Sequence, residues 1–576
     1  MLRAVEMQPG KIGPSKVIVI LPLDILTDSG IKIESMQEQS LRLAKCTLGA
    51  LPVIDQFIKR LGIEALLKAA LKRISYVRAV ILLVKSILER PAALYRLREW
   101  AQGYEPQLVG GGAIGDDTIG RALDRLFVAD RASLLTKLVL NALGGFGVAT
   151  DEIHNDSTSV SFCGAYNRQN EHAVQLRHGH SKDHRPDLKQ LVYSLSIAAD
   201  GAVPLHFTTY DGNITDDTTH WETWQTLRGL LGKSDFVYVA DCKLCVAETL
   251  RKIDRAQGKF ITILPRNRKE VAAFESEVLA STVRWNKLWS KRSSRKRRRR
   301  DVFELAAGIA QMQEGFRIFW YRSSEKMRRD AQERAELMSA ALAKLRALDH
   351  QKRARPKTEV GMQHAAERIL DTYRVQDWIT VSVSMETQER FRQTTRGKPT
   401  PNTQYRRIEK HRPVLRIAKN LTGIARAAAL DGIFPLVSNA QLSALDVLKK
   451  YKYQPMLEKR HALFKSVLEV APVFLKKNER IEALMFVYFI AQMLAALIER
   501  EVRHEMKTRA IPSLAILPEG RASKNPSATQ ILSSFAGLAR YHLTERNDPL
   551  KTFADKLSPL QVQLLSLLKI EQTTFA

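Results

Sequence analysis

Three acidic residues stand in settings that suit a metal ligand. Asp156 lies in the strand-like alternation Ile153-His154-Asn155-Asp156-Ser157-Thr158-Ser159-Val160. Asp241 closes the apolar run Phe236-Val237-Tyr238-Val239-Ala240, and Glu458 follows Gln454-Pro455-Met456-Leu457. Two strand-borne aspartates and a later helical glutamate suit two Mg²⁺ ions, with Mn²⁺ as a substitute. Such hard cations take carboxylate oxygens, and the pair activates an attacking oxygen and stabilises a leaving one. Lys+Arg at 90 against Asp+Glu at 61 gives a formal charge of +29, so the phosphodiester that fits this field is nucleic acid. A single aspartate at a strand end is ordinarily a turn or cap residue. The case rests on three together, in this order.

The elements that must hold them can be read from periodicity. Alternating or continuous apolar runs predict strands at Ser157–Cys163, Leu191–Ala198, Pro204–Thr209, Phe236–Ala240 and Phe260–Leu264, with a helix from about Asp216 to Leu231. Three neighbouring antiparallel strands, a crossover helix and a further buried strand make a ribonuclease H-like order, one that other α/β sheets also satisfy. Pro455 lacks an N–H and belongs at the first helical position, with Gln454 just before it, so Glu458 ends the first turn. Lys465 follows seven residues later. Seven steps of about 100° return to within roughly 20° of one face, so a carboxylate and an ammonium can project together.

The chain predicts an α/β fold whose ribonuclease H-like core is interrupted by an inserted domain. A helical N-terminal domain (1–145) is expected to bind DNA ends, through a helix-turn-helix or as packing alone. The first part of the core spans 146–275, a basic insertion domain 276–430, the closing part with Glu458 431–506, and a helical tail 507–576. Strand candidates at Phe316–Tyr321 and Trp378–Ser384, a charged helix near 324–348 and the polar loop Thr394–Pro401 fall in the insertion. The core fold is expected to resume with the strand Gly432–Val437. Within the insertion, Arg295-Lys296-Arg297-Arg298-Arg299-Arg300 reads either as a DNA-backbone contact or as a solvated basic cluster.

At 576 residues the chain is long enough for about three or four domains, and 45% apolar content is that of a globular protein. Four cysteines (Cys46, Cys163, Cys242, Cys245) do not make a disulfide framework, which points to a reducing cytosol. The lone pair Cys242-Lys243-Leu244-Cys245 has no partner pair and reads as a helix start after Asp241. No signal peptide is visible, and Ile481–Ile498 reads as a core helix with no membrane role. His172, His178, His180 and His184, near Asp183 and Asp187, invite a second metal site, yet their spacing matches no zinc motif and a core-ordering loop competes. Trp221 and Trp224 after His220 are base-stacking candidates or a core-facing pair. No phosphate-cradling Gly-rich loop supports an ATP requirement.

These segments together resemble the DDE-type insertion-sequence transposases, in the large branch marked by Tyr-x2-Arg-x3-Glu-x6-Lys. Tyr451, Gln454, Glu458 and Lys465 stand at those spacings, Gln454 replacing the Arg. Asp156-Ser157-Thr158-Ser159, the stretch Gly179-His180-Ser181-Lys182-Asp183-His184-Arg185-Pro186-Asp187-Leu188-Lys189-Gln190, Gly212-Asn213-Ile214-Thr215-Asp216 and Val239-Ala240-Asp241 are similar in the same way. The resemblance spans residues 150 to 500. It implies a ribonuclease H-like core with Asp156, Asp241 and Glu458 as the metal-binding triad, and Tyr451, Gln454, Lys465 and the Arg297–Arg300 run as phosphate or DNA contacts. It further implies a bacterial, cytoplasmic, nucleoid-associated enzyme that works as a homo-oligomer. Such an enzyme cuts at terminal inverted repeats and joins the freed 3′ ends to target DNA. Two rivals stay open: a catalytically inactive or domesticated DNA-binding relative, and a nuclease of the same core that cuts without joining.

Overall fold

A computed structural model describes residues 3–7, 17–21, 41–110, 114–167, 169–182, 185–214, 218–292, 299–308, 310–351, 356–468, 475–545 and 548–576. It divides into two compact units. Unit 1 comprises Met1–Phe260 with Lys450–Ala576, and unit 2 comprises Ile261–Lys449. Unit 2 is therefore wider at both ends than the insertion expected at 276–430.

The N-terminal region is not purely helical. The run Val17-Ile18-Val19-Ile20-Leu21, rich in β-branched residues, forms β2 (Val17–Leu21), which pairs antiparallel with β1 (Arg3–Met7). The alternating stretch Leu41–Thr47 forms β3. Six helices follow: α1 (Leu51–Arg60), α2 (Ile63–Leu71), α3 (Ile74–Glu89), α4 (Leu97–Gln102), α5 (Asp116–Val128) and α6 (Arg131–Phe146). Pro52 opens α1 where a missing N–H costs nothing, and Asp130 caps α6 by accepting the Ser133 N–H at 3.0 Å.

Four strands then build the part of a larger sheet that carries the acidic residues: β4 (Glu152–Phe162), β5 (Lys189–Ala198), β6 (Pro204–Asp211) and β7 (Val237–Val239). Their spatial order is β6-β5-β4-β7; the first three are mutually antiparallel, and β7 runs parallel to β4. A parallel neighbour requires a crossover, which contains α7 (His220–Leu231). Its Trp221 and Trp224 stack at 5.5 Å; Trp224 is fully buried and faces the core, while Trp221 is half-buried. Beyond β7, α8 (Ala247–Arg255) leads into β8 (Lys259–Ile263), the strand in which the chain passes into unit 2.

Unit 2 holds α9 (Lys269–Leu279), β9 (Trp285–Arg292), β10 (Arg300–Ala306), β11 (Ala310–Gln311) and β12 (Arg317–Ser323), then the long helix α10 (Ser324–His350) and α11 (Glu359–Tyr373). A two-stranded ribbon, β13 (Ile379–Gln393) and β14 (Tyr405–Lys419), precedes α12 (Leu421–Leu430) and β15 (Ile433–Ser438). The polar loop foreseen at Thr394–Pro401 belongs to the connection at the ribbon's tip. Met338, Leu345, Met362 and Leu370 form a core with Ile379 at the ribbon's base. Arg334 and Asp431 meet in a buried bidentate pair at 2.8 and 2.6 Å. The strand expected to resume the first fold, β15, pairs antiparallel with β12 and with the end of β8, the strand predicted at Phe260–Leu264 for that same core. Its apolar composition marks it as a strand, and only pairing places it.

The chain re-enters unit 1 within α13 (Ala444–Tyr451), followed by α14 (Pro455–Ala462) and α15 (Asn478–Thr508). By length and composition α15 could cross a membrane, yet 94% of its apolar window is buried inside the protein. It is the central beam of unit 1. α3 and α5 pack on it, and ion pairs tie it to the N-terminal region: Arg480 to Asp124 at 2.6 Å, Glu482 to Arg131 at 2.7 Å and Glu501 to Arg60 at 3.1 Å. The tail, expected to be helical, contains α16 (Ala528–Ser533), the hairpin strands β16 (Ala539–Glu545) and β17 (Asp548–Ala554), and α17 (Pro559–Leu568). β16 lies between β17 and β3 in a three-stranded antiparallel sheet. The partner that makes this segment a sheet lies some 500 residues earlier, out of reach of local pattern.

Candidate active site and nucleic-acid surface

The parallel register of β4 and β7 places two of the three acids. Glu152, Ile153 and His154 pair with Val237, Tyr238 and Val239. Continued two residues further, it sets Asp156 level with Asp241, at the carboxyl end of β7. The two line one polar cleft with Asn155, Ser157, Ser194, Thr219 and His220. Asp241 also caps the short turn Cys242–Leu244, accepting the Lys243 N–H at 2.9 Å. Capping and metal-holding are compatible here, because the bond to the turn fixes the carboxylate's direction. Cys242 and Cys245 thus belong to the turn after Asp241.

Below Asp156 the strand is polar and buried. Asn155 donates to Ser194 Oγ at 3.1 Å and Ser196 Oγ at 3.0 Å, which locks β4 to β5. Lys182 donates through Nζ to the Ser157 carbonyl at 2.6 Å and lies 3.7 Å from Asp156 Oδ1. Two glycines let its loop approach the sheet. A Cβ on Gly179 would stand 2.0 Å from the Gly212 carbonyl oxygen, and one on Gly212 would stand 2.1 Å from that of Gln190.

Glu458 is carried by α14, which begins at Pro455 with Gln454 before it, as the sequence predicts. Leu457 and Arg460 turn inward. Arg460 is spent on the carbonyls of Ala202 and Gly201 and on Glu499, which anchors the helix. One turn past Glu458, His461 Nε2 lies 3.9 Å from Asp156 Oδ2. Glu458 itself is exposed and does not line the cleft of Asp156 and Asp241. The three carboxylates do not all lie within 4.8 Å of one another. Burial first, then the charges of Asp241, Cys242, Glu458 and Asp156, hold the Tyr451 phenol well above the ordinary range.

Gln454 and Lys465 depart from expectation. Gln454 is buried, its Oε1 2.8 Å from His154 Nδ1 and its Nε2 donating to the Asn155 carbonyl at 3.1 Å. Its amide is consumed inside the protein, which corrects its reading as a phosphate contact. His154 Nε2 in turn lies 2.8 Å from Glu152, and Glu152 pairs with Lys450 at 2.7 Å. Burial would raise the Glu152 carboxyl, but the bonds from His154 and Lys450 outweigh it and hold it below its usual value. The chain Lys450–Glu152–His154–Gln454–Asn155 therefore straps the start of α14 to the strand bearing Asp156. Lys465 lies in a π turn, Leu463–Val467, that takes more residues per revolution than an α-helix. The seven-step return that would align it with Glu458 does not apply there.

Lys182, His154 and His461 were not singled out as site residues from the sequence. Only His461 carried a local signal, its three-residue spacing from Glu458 on a helix. Of the histidine loop, Asp183 and His184 lie outside the described residues, as does Asp216. Among the described residues, His172, His178, His180 and Asp187 do not form a metal-competent group, and Asp187 pairs with Arg185 at 2.7 Å.

Unit 2 presents a cationic ribbon. In β13–β14, Gln388 faces Lys410, Arg390 faces Ile408 and Arg392 faces Arg406. Directly opposite residues share a face, so Arg390, Arg392, Arg406 and Lys410 stand together, all exposed. Glu389 and Glu409 alternate onto the other face, where Arg407 pairs with Glu389 and, at 3.0 Å, with Glu409, while Glu386 shares the cationic face and lies 3.9 Å from Arg412. Like charges opposed across a ladder repel, so the Arg392–Arg406 rung favours an external anion. Of the Arg run, Arg297 and Arg298 lie outside the described residues. Arg299 is exposed, and Arg300 starts β10 with its guanidinium on Ser290 Oγ at 2.6 Å.

No protein-family model matches the chain, and no curated protein does. Among solved structures, a piggyBac transposase synaptic complex with hairpin DNA is similar at a TM-score of 0.35 and 8% identity, over 80% of this chain and 70% of that one.

Proposed function

We propose that the chain is a DNA transposase of the DDE type: it binds the terminal inverted repeats of an insertion sequence, cuts there and joins the freed 3′ end to target DNA. The observation that carries this reading is the convergence of Asp156 and Asp241 in one cleft at the carboxyl end of β7, with Glu458 on the helix whose His461 lies 3.9 Å from Asp156. The strand order β6-β5-β4-β7 supports a ribonuclease H-like core. An all-oxygen donor set from Asp156, Asp241 and Glu458 suits Mg²⁺, which when bound would activate the attacking oxygen and stabilise the leaving one. The protein's own groups position the substrate. Lys182, beside Asp156, and Lys465 supply positive charge for phosphate oxygens, while the strap through Gln454 holds the strand and helix in register. The basic face of the ribbon contacts the DNA backbone, and a two-stranded ribbon also fits a major groove. Acting on paired ends calls for a homo-oligomer.

Asp241→Asn tests the reading with a duplex carrying the element's end. Wild type is expected to cleave in Mg²⁺ and to join a pre-cut end to a target plasmid. The variant should lose both by at least about a thousandfold while binding the end normally. Cleavage that survives the substitution would remove the triad assignment. Cutting without joining would mark a nuclease, and end binding with neither activity in the wild type a DNA-binding relative.

A further inference from the structure

A second cluster of donor atoms lies away from the acidic cleft, on the sheet formed by β3, β16 and β17. Cys46 Sγ, a Glu105 carboxylate oxygen and a His542 ring nitrogen all fall within 4.8 Å of one another. The register explains the meeting. His542 stands opposite Ala44 on β3 and Thr552 on β17, and Cys46, two residues past Ala44, shares that face. The small side chain of Ala44 leaves room for the imidazole to lean toward Cys46. Glu105 arrives from the segment after α4, fixed by backbone: the Thr47 N–H donates to the Gly103 carbonyl at 3.0 Å, and the Glu105 N–H donates to the Thr47 carbonyl at 2.9 Å. Three segments are thus held at one point by bonds that do not involve the donor side chains.

The chemistry narrows the ligand. His542 Nε2 lies 2.9 Å from Glu105 Oε2, and Nδ1 lies 3.1 Å from Thr552 Oγ1. A metal-binding imidazole is oriented in this way, by a polar partner on its other nitrogen. Glu105 is only 2% exposed, a buried carboxylate for which a cation is the natural complement. A divalent ion would balance one thiolate and one carboxylate. Sulfur, nitrogen and oxygen donors together select zinc over magnesium or calcium.

We propose that Cys46, Glu105 and His542 bind a zinc ion that staples β3 to β16 and to the Gly103–Glu105 segment, with a fourth position for water. The site is independent of DNA chemistry, and its test does not use activity. Full-length protein purified without chelator should carry stoichiometric zinc by elemental analysis. After stripping, Co²⁺ should give a thiolate charge-transfer band that Cys46→Ser and His542→Gln both abolish. Because those variants could fail to fold, wild-type protein is also labelled with iodoacetamide and its peptides mapped by mass spectrometry. Zinc should slow alkylation of Cys46 by at least about tenfold and leave exposed Cys163 unchanged. Zinc-free wild-type protein whose Cys46 is labelled equally with and without added zinc overturns the proposal, as does an undiminished cobalt band in folded Cys46→Ser.

Discussion

Gln454 shows how much a single side chain decides at the site. Its amide satisfies His154 and the Asn155 carbonyl at once, both buried and within two residues of Asp156. Gln454→Leu keeps the volume and removes both bonds, leaving two buried polar groups at a cost of about 1–3 kcal/mol each. Urea denaturation should show that loss. At a temperature where the variant stays folded, cleavage should fall further than the folded fraction, because the strand and α14 are no longer strapped together. An unchanged unfolding midpoint would show that the network contributes nothing. Sequence named position 454 but not its role, since a glutamine's partners lie 300 residues away. His154, likewise, sits in the run read for Asp156 and gains meaning only from what it touches.

Two elements make separate statements. The ribbon concentrates Arg390, Arg392, Arg406 and Lys410 on one face, a surface built to meet phosphate. Arg392→Gln and Arg406→Gln should weaken DNA binding uniformly across sequences and flatten the salt dependence by about one unit of slope for each phosphate left without its cation. A slope equal to wild type would take DNA off that face. At the start of α1 the cap position is Ala50, which has no side-chain acceptor, and Glu89 from the end of α3 accepts its N–H at 2.9 Å instead. Burial pushes the Glu89 carboxyl up to about 6, against the lowering by the Ala50 amide and the Arg90 charge. Between its ordinary 4.5 and that value the folded state holds the extra proton, so stability is greatest below the window and falls as pH rises through it. The shift corresponds to roughly 1–2 kcal/mol. Glu89→Gln keeps an acceptor and removes the titration, so its stability relative to wild type should rise by that amount between about pH 4 and pH 7. Parallel pH profiles for the two proteins would exclude this origin.

The whole molecule is organised around two cores. Leu494 on α15 and Leu345 on α10 are each fully buried, one in unit 1 and one in unit 2. Each unit has its own buried apolar set, so calorimetry should resolve two transitions rather than a single cooperative one. Leu494→Ala should lower one and Leu345→Ala the other, each by about 2–5 kcal/mol. If either substitution moved both transitions equally, the units would not melt separately. The same organisation explains why the N-terminal helices do not stand apart as the domain expected at 1–145. Their apolar faces are completed by α15, with Arg480, Glu482 and Glu501 pairing across to them.

Local chemistry in the sequence was enough for the helix start at Pro455, the strands around Asp156 and Asp241, and the core character of Ile481–Ile498. Each depends on features within a few residues: a missing N–H, alternation, or an apolar run with few charges. Tertiary structure alone decided pairing and partnership. It set Asp156 level with Asp241 through a parallel register, turned Gln454 inward, put Lys465 in a π turn and joined β3 to β16. Those outcomes depend on segments hundreds of residues apart in sequence. A strand's hydrogen bonds and a buried amide's partners are obligations that the local sequence imposes but cannot assign.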